Sequence, residues 1–187
     1  MTLLEKLHTP YKLKEIKRSG KVEERNETTA EHTFSAITIA EYFLKKHPKL
    51  SEIKVIKLLL YHDYVEIHAG DIDILKIEER TKKEELEEKA LKQLEKELPK
   101  EIVTEFKKIW KEYLENRTLE AKFAHAIDAL DPILQSIHQP TEWKEHGYTE
   151  EKLRKYKEAY FLEFPILLKF FNELIKELNE KNIIPKE

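Results

Sequence analysis

Apolar residues recur every three to four positions through almost the whole chain, and β-branched residues never alternate with polar ones over a strand's length. A chain so patterned buries helix stripes against one another, which restricts it to the all-α class. Residues 2–17 read as a first short helix with Leu3, Leu4 and Leu7 on one face, and Arg18 falls at its end. The periodicity fails across "GKVEERNETT", which marks a loop. Thr28 or Thr29 then caps a helix to about Lys46, with Ile37, Ala40, Phe43 and Leu44 turned inward. Ser51 caps the next, from Glu52 to about Tyr64. From Ala69 to about Arg80 the chain reads as irregular, pivoting on Gly70. A highly charged helix over 81–97 carries a narrow stripe of Leu86, Ala90 and Leu94. Pro99 suits the first turn of a helix to about Asn116, and Thr118 caps another to about Ile137. Closing helices fill 149–180 with an interruption near Pro165. The expectation is a single domain over 1–187, a bundle of about seven or eight helices with the last of them packed on the same core.

Charge narrows the function classes. Acidic and basic residues nearly balance, 37 against 34, so the basic excess of a nucleic-acid-coating protein is missing. The most apolar late stretch, "FLEFPILLKFFNELI", is broken by Glu163, Pro165 and Lys169 and does not read as membrane-spanning. Charges scattered through "MTLLEKLHTPYKLKE" leave no signal core, so the expected location is the cytoplasm. With no cysteine, any metal must take imidazole and carboxylate ligands. Abundant Lys and Glu with three glycines lean towards a thermophilic composition.

One stretch stands apart. In "LLLYHDYVEIHAGD" the apolar run Leu58-Leu59-Leu60 leads straight into His62-Asp63, then Glu66, His68 and Asp71. His32 sits one turn into its helix, and Asp128 borders the apolar face of Phe123, Ile127, Leu130, Leu134 and Ile137. A bare carboxylate there is costly to desolvate unless paired or bound to a cation. His32, His62, Asp63 and Asp128 together would make a mixed nitrogen and oxygen site joining three helices, with positions open to water and substrate.

His…His-Asp…Asp on successive helices resembles the HD-domain metal-dependent phosphohydrolases, and more narrowly their small 5′-deoxynucleotidase-like branch. The stretches that carry the likeness are "IKRSGKVEERN", "AEHTFSAITIA", "LLLYHDYVEIHAGDI", "EELEEKALKQLEKELPKEI" and "AKFAHAIDALDPILQ". The resemblance implies one divalent ion (Co, Mn, Ni, Zn or Mg) on His32, His62, Asp63 and Asp128. It also selects Asp128 over Asp131, by the spacing to Leu134-Gln135. It gives Glu66 a catalytic role in proton handling, Asp71 a role in catalysis or in holding a sugar hydroxyl, and Arg18 the substrate phosphate. Ser19 stands where bacterial members carry Trp, which departs from their selection against ribonucleotides. A homodimer is also implied. The remaining histidines read otherwise: His68 as a bystander, His125 as an ordinary helix histidine or, less often for such a position, support for Asp128, and His8, His47, His138 and His146 as surface.

The reading is a metal-dependent phosphomonoesterase acting on (deoxy)nucleoside 5′-monophosphates. One alternative keeps the site and takes a nucleoside triphosphate or cyclic nucleotide; another is a non-catalytic helical scaffold.

Overall fold

The computed structural model describes residues 1–71, 83–139, 143 and 147–185. Most of the expected irregular stretch after Ala69, the first two residues of the charged helix, and His146 lie outside the described residues. The described residues form eight α-helices of six residues or more, one single-turn helix and one small hairpin. They are α1 (Leu3–His8), α2 (Thr29–Leu44), α3 (Glu52–Tyr61), α4 (Glu66–Ala69), α5 (Lys83–Glu97), α6 (Lys100–Glu115), α7 (Leu119–Ser136), α8 (Glu150–Lys157) and α9 (Pro165–Glu180). Two 3₁₀ turns, Thr9–Lys14 and Glu158–Phe161, continue α1 and α8.

The helix starts follow capping chemistry. Thr28 accepts from the Glu31 backbone N–H while the Glu31 carboxylate reaches back to the Thr28 N–H, a reciprocal box that fixes where α2 begins. Thr118 caps α7 by accepting from Ala121 N–H. Ser51 stands at the N-cap of α3 without making a side-chain cap bond. Pro99 is the N-cap of α6 rather than a residue of its first turn, and Asn116 ends that helix in the left-handed region at φ 47°.

The core forms where α2, α3 and α7 meet. Ala36, Ala40, Leu58, Leu59, Phe123, Ile127 and Leu130 are among its fully buried members. Each large one contributes on the order of 1.5–3 kcal/mol by leaving water. Three central helices packed this tightly make a rigid floor for polar groups at their facing ends.

Four expectations need correction. The first helix ends at His8, and Leu3, Leu4 and Leu7 are exposed, because an apolar stripe shows which face is apolar and not whether anything covers it. Residues 17–28 are a hairpin, β1 (Lys17–Val22) paired antiparallel with β2 (Arg25–Thr28), so Arg18 lies on a strand and not at a helix end. Leu86 in the stripe of α5 is exposed, whereas Ala90 and Leu94 are buried. Finally, α3 stops at Tyr61: the Nδ1 of His62 donates to the carbonyl of Leu59, and three-residue hydrogen bonds tighten the chain through Tyr64 into α4. Glu66 therefore reaches the site from a separate turn.

Candidate metal centre

The hairpin places Arg18. Its register shifts between Lys17 and Lys21, so Arg18, Ser19 and Gly20 lie in the irregular part of β1. Asn26 donates to the carbonyl of Arg18 (2.6 Å) and Gln135 of α7 donates to that of Lys21 (2.8 Å). A Cβ at Gly20 would meet the Glu27 carboxylate at 3.2 Å, a tight contact to which that side chain would have to yield. So tethered, Arg18 sends its guanidinium into a cavity of about 460 Å³ over the ends of α3 and α7. A void of that size suits a small organic ligand.

His32, His62, Asp63 and Asp128 converge at the floor. His32 Nε2 lies 3.1 Å from Asp128 Oδ1 and 3.7 Å from Asp63 Oδ2. His62 Nε2 lies 3.0 Å from Asp63 Oδ2 and 3.7 Å from Asp128 Oδ1. The far nitrogens of both rings are already engaged. His32 Nδ1 donates to Asp131 at 2.7 Å, and His62 Nδ1 donates to the Leu59 carbonyl at 2.7 Å. With Nδ1 so engaged, each ring turns Nε2 towards the carboxylates, and loss of the Nε2 proton leaves the tautomer that a metal requires. The fully buried His62 Nε2 makes no hydrogen bond despite its short distance to Asp63, because the alignment is wrong. A buried polar atom without a partner is costly. Ligand atoms of His32, His62 and Asp63 lie within 4.8 Å of one another, Asp128 adds an oxygen 3.1 Å from His32 Nε2, and this donor set fits a divalent cation.

The electrostatics agree. Glu27, Asp63, Glu66 and Asp71 crowd around Arg18, and Asp128 and Asp131 flank His32. Arg18 Nη1 lies 3.1 Å from Asp63, 3.5 Å from Asp71 and 3.8 Å from Glu66, and these carboxylates hold it charged despite burial. Burial and Arg18 oppose a proton on His32, yet its bonds to Asp128 and Asp131 push it up to about 9. His62 is raised too, Asp63 and Asp128 outweighing burial. Burial would raise Asp63, but His62 and Arg18 bring it down to about 2. Burial, then Asp63, push Glu66 well above the carboxylate range, and burial then Asp131 push Glu27 up to about 7. Carboxyl groups thus outnumber the cations around them, and the site holds protons on Glu66 and both imidazoles that a bound cation can displace.

Glu66 and Asp71 are placed as a pair at the wall. Glu66 accepts from the Thr29 hydroxyl at 2.7 Å, which fixes its carboxyl beside Arg18. Gly70, at φ 74°, turns the chain sharply enough to bring Asp71 to the same guanidinium.

Asp131, Thr29, Glu27 and Tyr113 are the site groups that the sequence did not single out as players. Asp131 had a signal, since it follows Asp128 by three on one helix and so shares its face. Tyr113 had none: its hydroxyl donates to Asp128 Oδ2 at 2.9 Å from another helix. His125 supports Asp128 indirectly, stacked on the Tyr113 ring with Nε2 donating to the Tyr113 carbonyl. His68 pairs with Glu97, away from the centre. His8 and His138 are exposed, but His47 is half-buried between Phe123 and Phe164 rather than on the surface.

Comparison with known proteins joins this geometry to a family. Residues 11–165 match the model of the HD domain. The chain is 31% identical over 137 residues to 5′-deoxynucleotidase HDDC2 of Bos taurus, covering 72% of this chain and 66% of that one. It is 30% identical to the Homo sapiens protein of the same name, covering 72% and 67%. The match thus spans about two thirds of the length of these relatives. Among solved structures, a "predicted metal-dependent phosphohydrolase" from Magnetospirillum magnetotacticum MS-1 superposes with a TM-score of 0.83 at 30% identity, covering 97% of each chain. A histidine-aspartate centre between packed helices, together with a family match over most of the sequence, leaves one conclusion: the chain belongs to the HD-domain family.

Proposed function

We propose that the protein is a metal-dependent phosphomonoesterase that hydrolyses (deoxy)nucleoside 5′-monophosphates to nucleoside and phosphate. The observation that carries this is the convergence of His32, His62, Asp63 and Asp128, with both imidazole Nε2 atoms aimed at the carboxylates beneath a nucleotide-sized cavity. The names of the relatives support the substrate class.

A divalent ion on those four side chains would supply Lewis acidity, polarising a phosphoryl oxygen and acidifying water. Arg18 binds the phosphate. Its planar fork exchanges the carboxylates it now faces for phosphoryl oxygens and offsets charge on the transferring group. Glu66, held by Thr29 beside Arg18, is the proton-handling group for water or the leaving 5′ oxygen. Asp71, one turn of chain beyond and on the same guanidinium, is placed for proton transfer or for a sugar hydroxyl. Ser19 in the cavity wall leaves open the space that a bulky ring would fill beside the sugar. The protein is taken as cytoplasmic and as a homodimer; no helix among the described residues is long and apolar enough to cross a membrane.

Purified protein incubated with dAMP, dGMP, dTMP and AMP in the presence of Co²⁺, Mn²⁺ or Mg²⁺ tests the proposal. Phosphate release from at least one deoxynucleotide is expected. Release from none of them by the metal-loaded protein overturns it.

A further inference from the structure

Tyr113 performs none of the steps above, yet the geometry divides Asp128 between it and the histidines. Asp128 Oδ1 faces His32 Nε2 at 3.1 Å and His62 Nε2 at 3.7 Å. Asp128 Oδ2 accepts the Tyr113 hydroxyl at 2.9 Å. The phenol is itself held on three sides. Its ring stacks on His125 with centroids 3.8 Å apart, it lies 5.3 Å from the His62 ring, and its carbonyl accepts from His125 Nε2 at 2.9 Å. His125 and Asp128 stand three residues apart on α7, so one face of that helix carries both the carboxylate and the clamp for the tyrosine that orients it.

We propose that Tyr113 is a positioning residue for the cation: it ties down one oxygen of Asp128 and so fixes that carboxylate as a one-oxygen ligand. A carboxylate with both oxygens free can rotate and bind a divalent ion through two of them. That would occupy a position which this chemistry needs for substrate or water. With Oδ2 held by a phenol that packing prevents from turning, only Oδ1 is presented to the centre. Hydrogen-bond partners of ligands tune affinity in this way. The clamp also joins α6 to α7, so the helix that supplies Tyr113 takes part in the site without supplying a ligand.

This inference rests on the metal reading of the site, and the test separates the two. Divalent Co²⁺ is titrated into metal-free wild type and Tyr113→Phe by calorimetry, with the visible absorption of the bound ion recorded in parallel. The Phe ring preserves the stacking on His125 and removes only the hydroxyl. The expected result is an altered Co²⁺ spectrum, reporting a raised coordination number as Asp128 turns its second oxygen to the ion, together with a changed dissociation constant. His125→Leu, which loosens the clamp and leaves the hydroxyl, should move both readouts in the same direction by less. It also keeps the test open should Tyr113→Phe fold poorly. Equal affinity and an identical spectrum in wild type and Tyr113→Phe overturn the inference while the metal reading stands. A wild-type protein that binds no Co²⁺ overturns both.

Discussion

The cavity and the outer faces of α5, α8 and α9 use the same charged residue types in opposite ways. Outside, charges come in helical pairs of opposite sign: Lys89 with Glu85, Lys176 with Glu180, Lys181 with Glu177, and Arg154 between Glu150 and Glu158. They neutralise one another in water, where each pair is worth a few tenths of a kcal/mol. Inside, Glu27, Asp63, Glu66, Asp71, Asp128 and Asp131 meet Arg18 and two imidazoles, and balance there needs added protons or a cation. Buried unbalanced charge is expensive to fold around. A chain that keeps it needs a charge from outside, and that requirement separates a site from a solvated surface.

The comparison breaks first at the ligands. His62→Ala should remove the buried donor and cost most of the metal affinity, with little loss from the surface pairs. A metal ion acting as Lewis acid contributes several kcal/mol, and each 1.36 kcal/mol is tenfold in rate, so phosphate release should fall about 10³-fold. Steady-state assays at saturating Co²⁺ check this, and a variant retaining a tenth of the activity would remove His62 from the ligand set. A smaller effect is expected one bond further out. Asp131→Asn weakens the carboxylate grip on His32 Nδ1 and with it the tautomer that presents Nε2. Metal affinity measured by calorimetry should drop about 10–100-fold while the helix content seen by circular dichroism is unchanged.

The same contrast explains what could be read from the sequence. The pair His62-Asp63 was legible because polar groups at the foot of Leu58-Leu59-Leu60 have no packing role. His32 and Asp128 each border an apolar helix face, a weak signal alone, and it was the family resemblance that joined them to that pair. The caps at Thr28 and Thr118 were legible because capping is local chemistry. The hairpin was not. "KRSGKV" and "RNET" lack alternation, and their pairing leans on tertiary bonds, from Gln135 to the Lys21 carbonyl and from Thr29 N–H to the Ile16 carbonyl. The break after Tyr61 was hidden too, since no Gly or Pro marks it and the His62 ring itself takes the Leu59 carbonyl. Nor could spacing reveal a bond between Tyr113 and Asp128, which lie on separate helices.

The smallest effect belongs to the surface and sharpens the contrast from the other side. Glu150 accepts from Arg154 Nε at 2.8 Å and from Asn179 at 2.6 Å, and these bonds, Arg154 first, hold its carboxyl below the ordinary range. A carboxylate depressed in the folded state stabilises the fold fully above its unfolded pKa, near 4.5. That contribution fades as pH falls through the depressed folded value. Glu150→Gln should therefore lower stability at pH 7 and cost less in acid, once the pH has fallen through the folded value. Because a third of the side chain is in water, screening limits the cost to about 0.5 kcal/mol. In a protein of this size that is a shift of roughly 1–2 °C in melting temperature. Paired melting curves at pH 7 and in acid read it directly. A shift of many degrees at pH 7 would mean that this outer pair resembles the cavity rather than the surface, and the division between balanced and unbalanced charge would have to be redrawn.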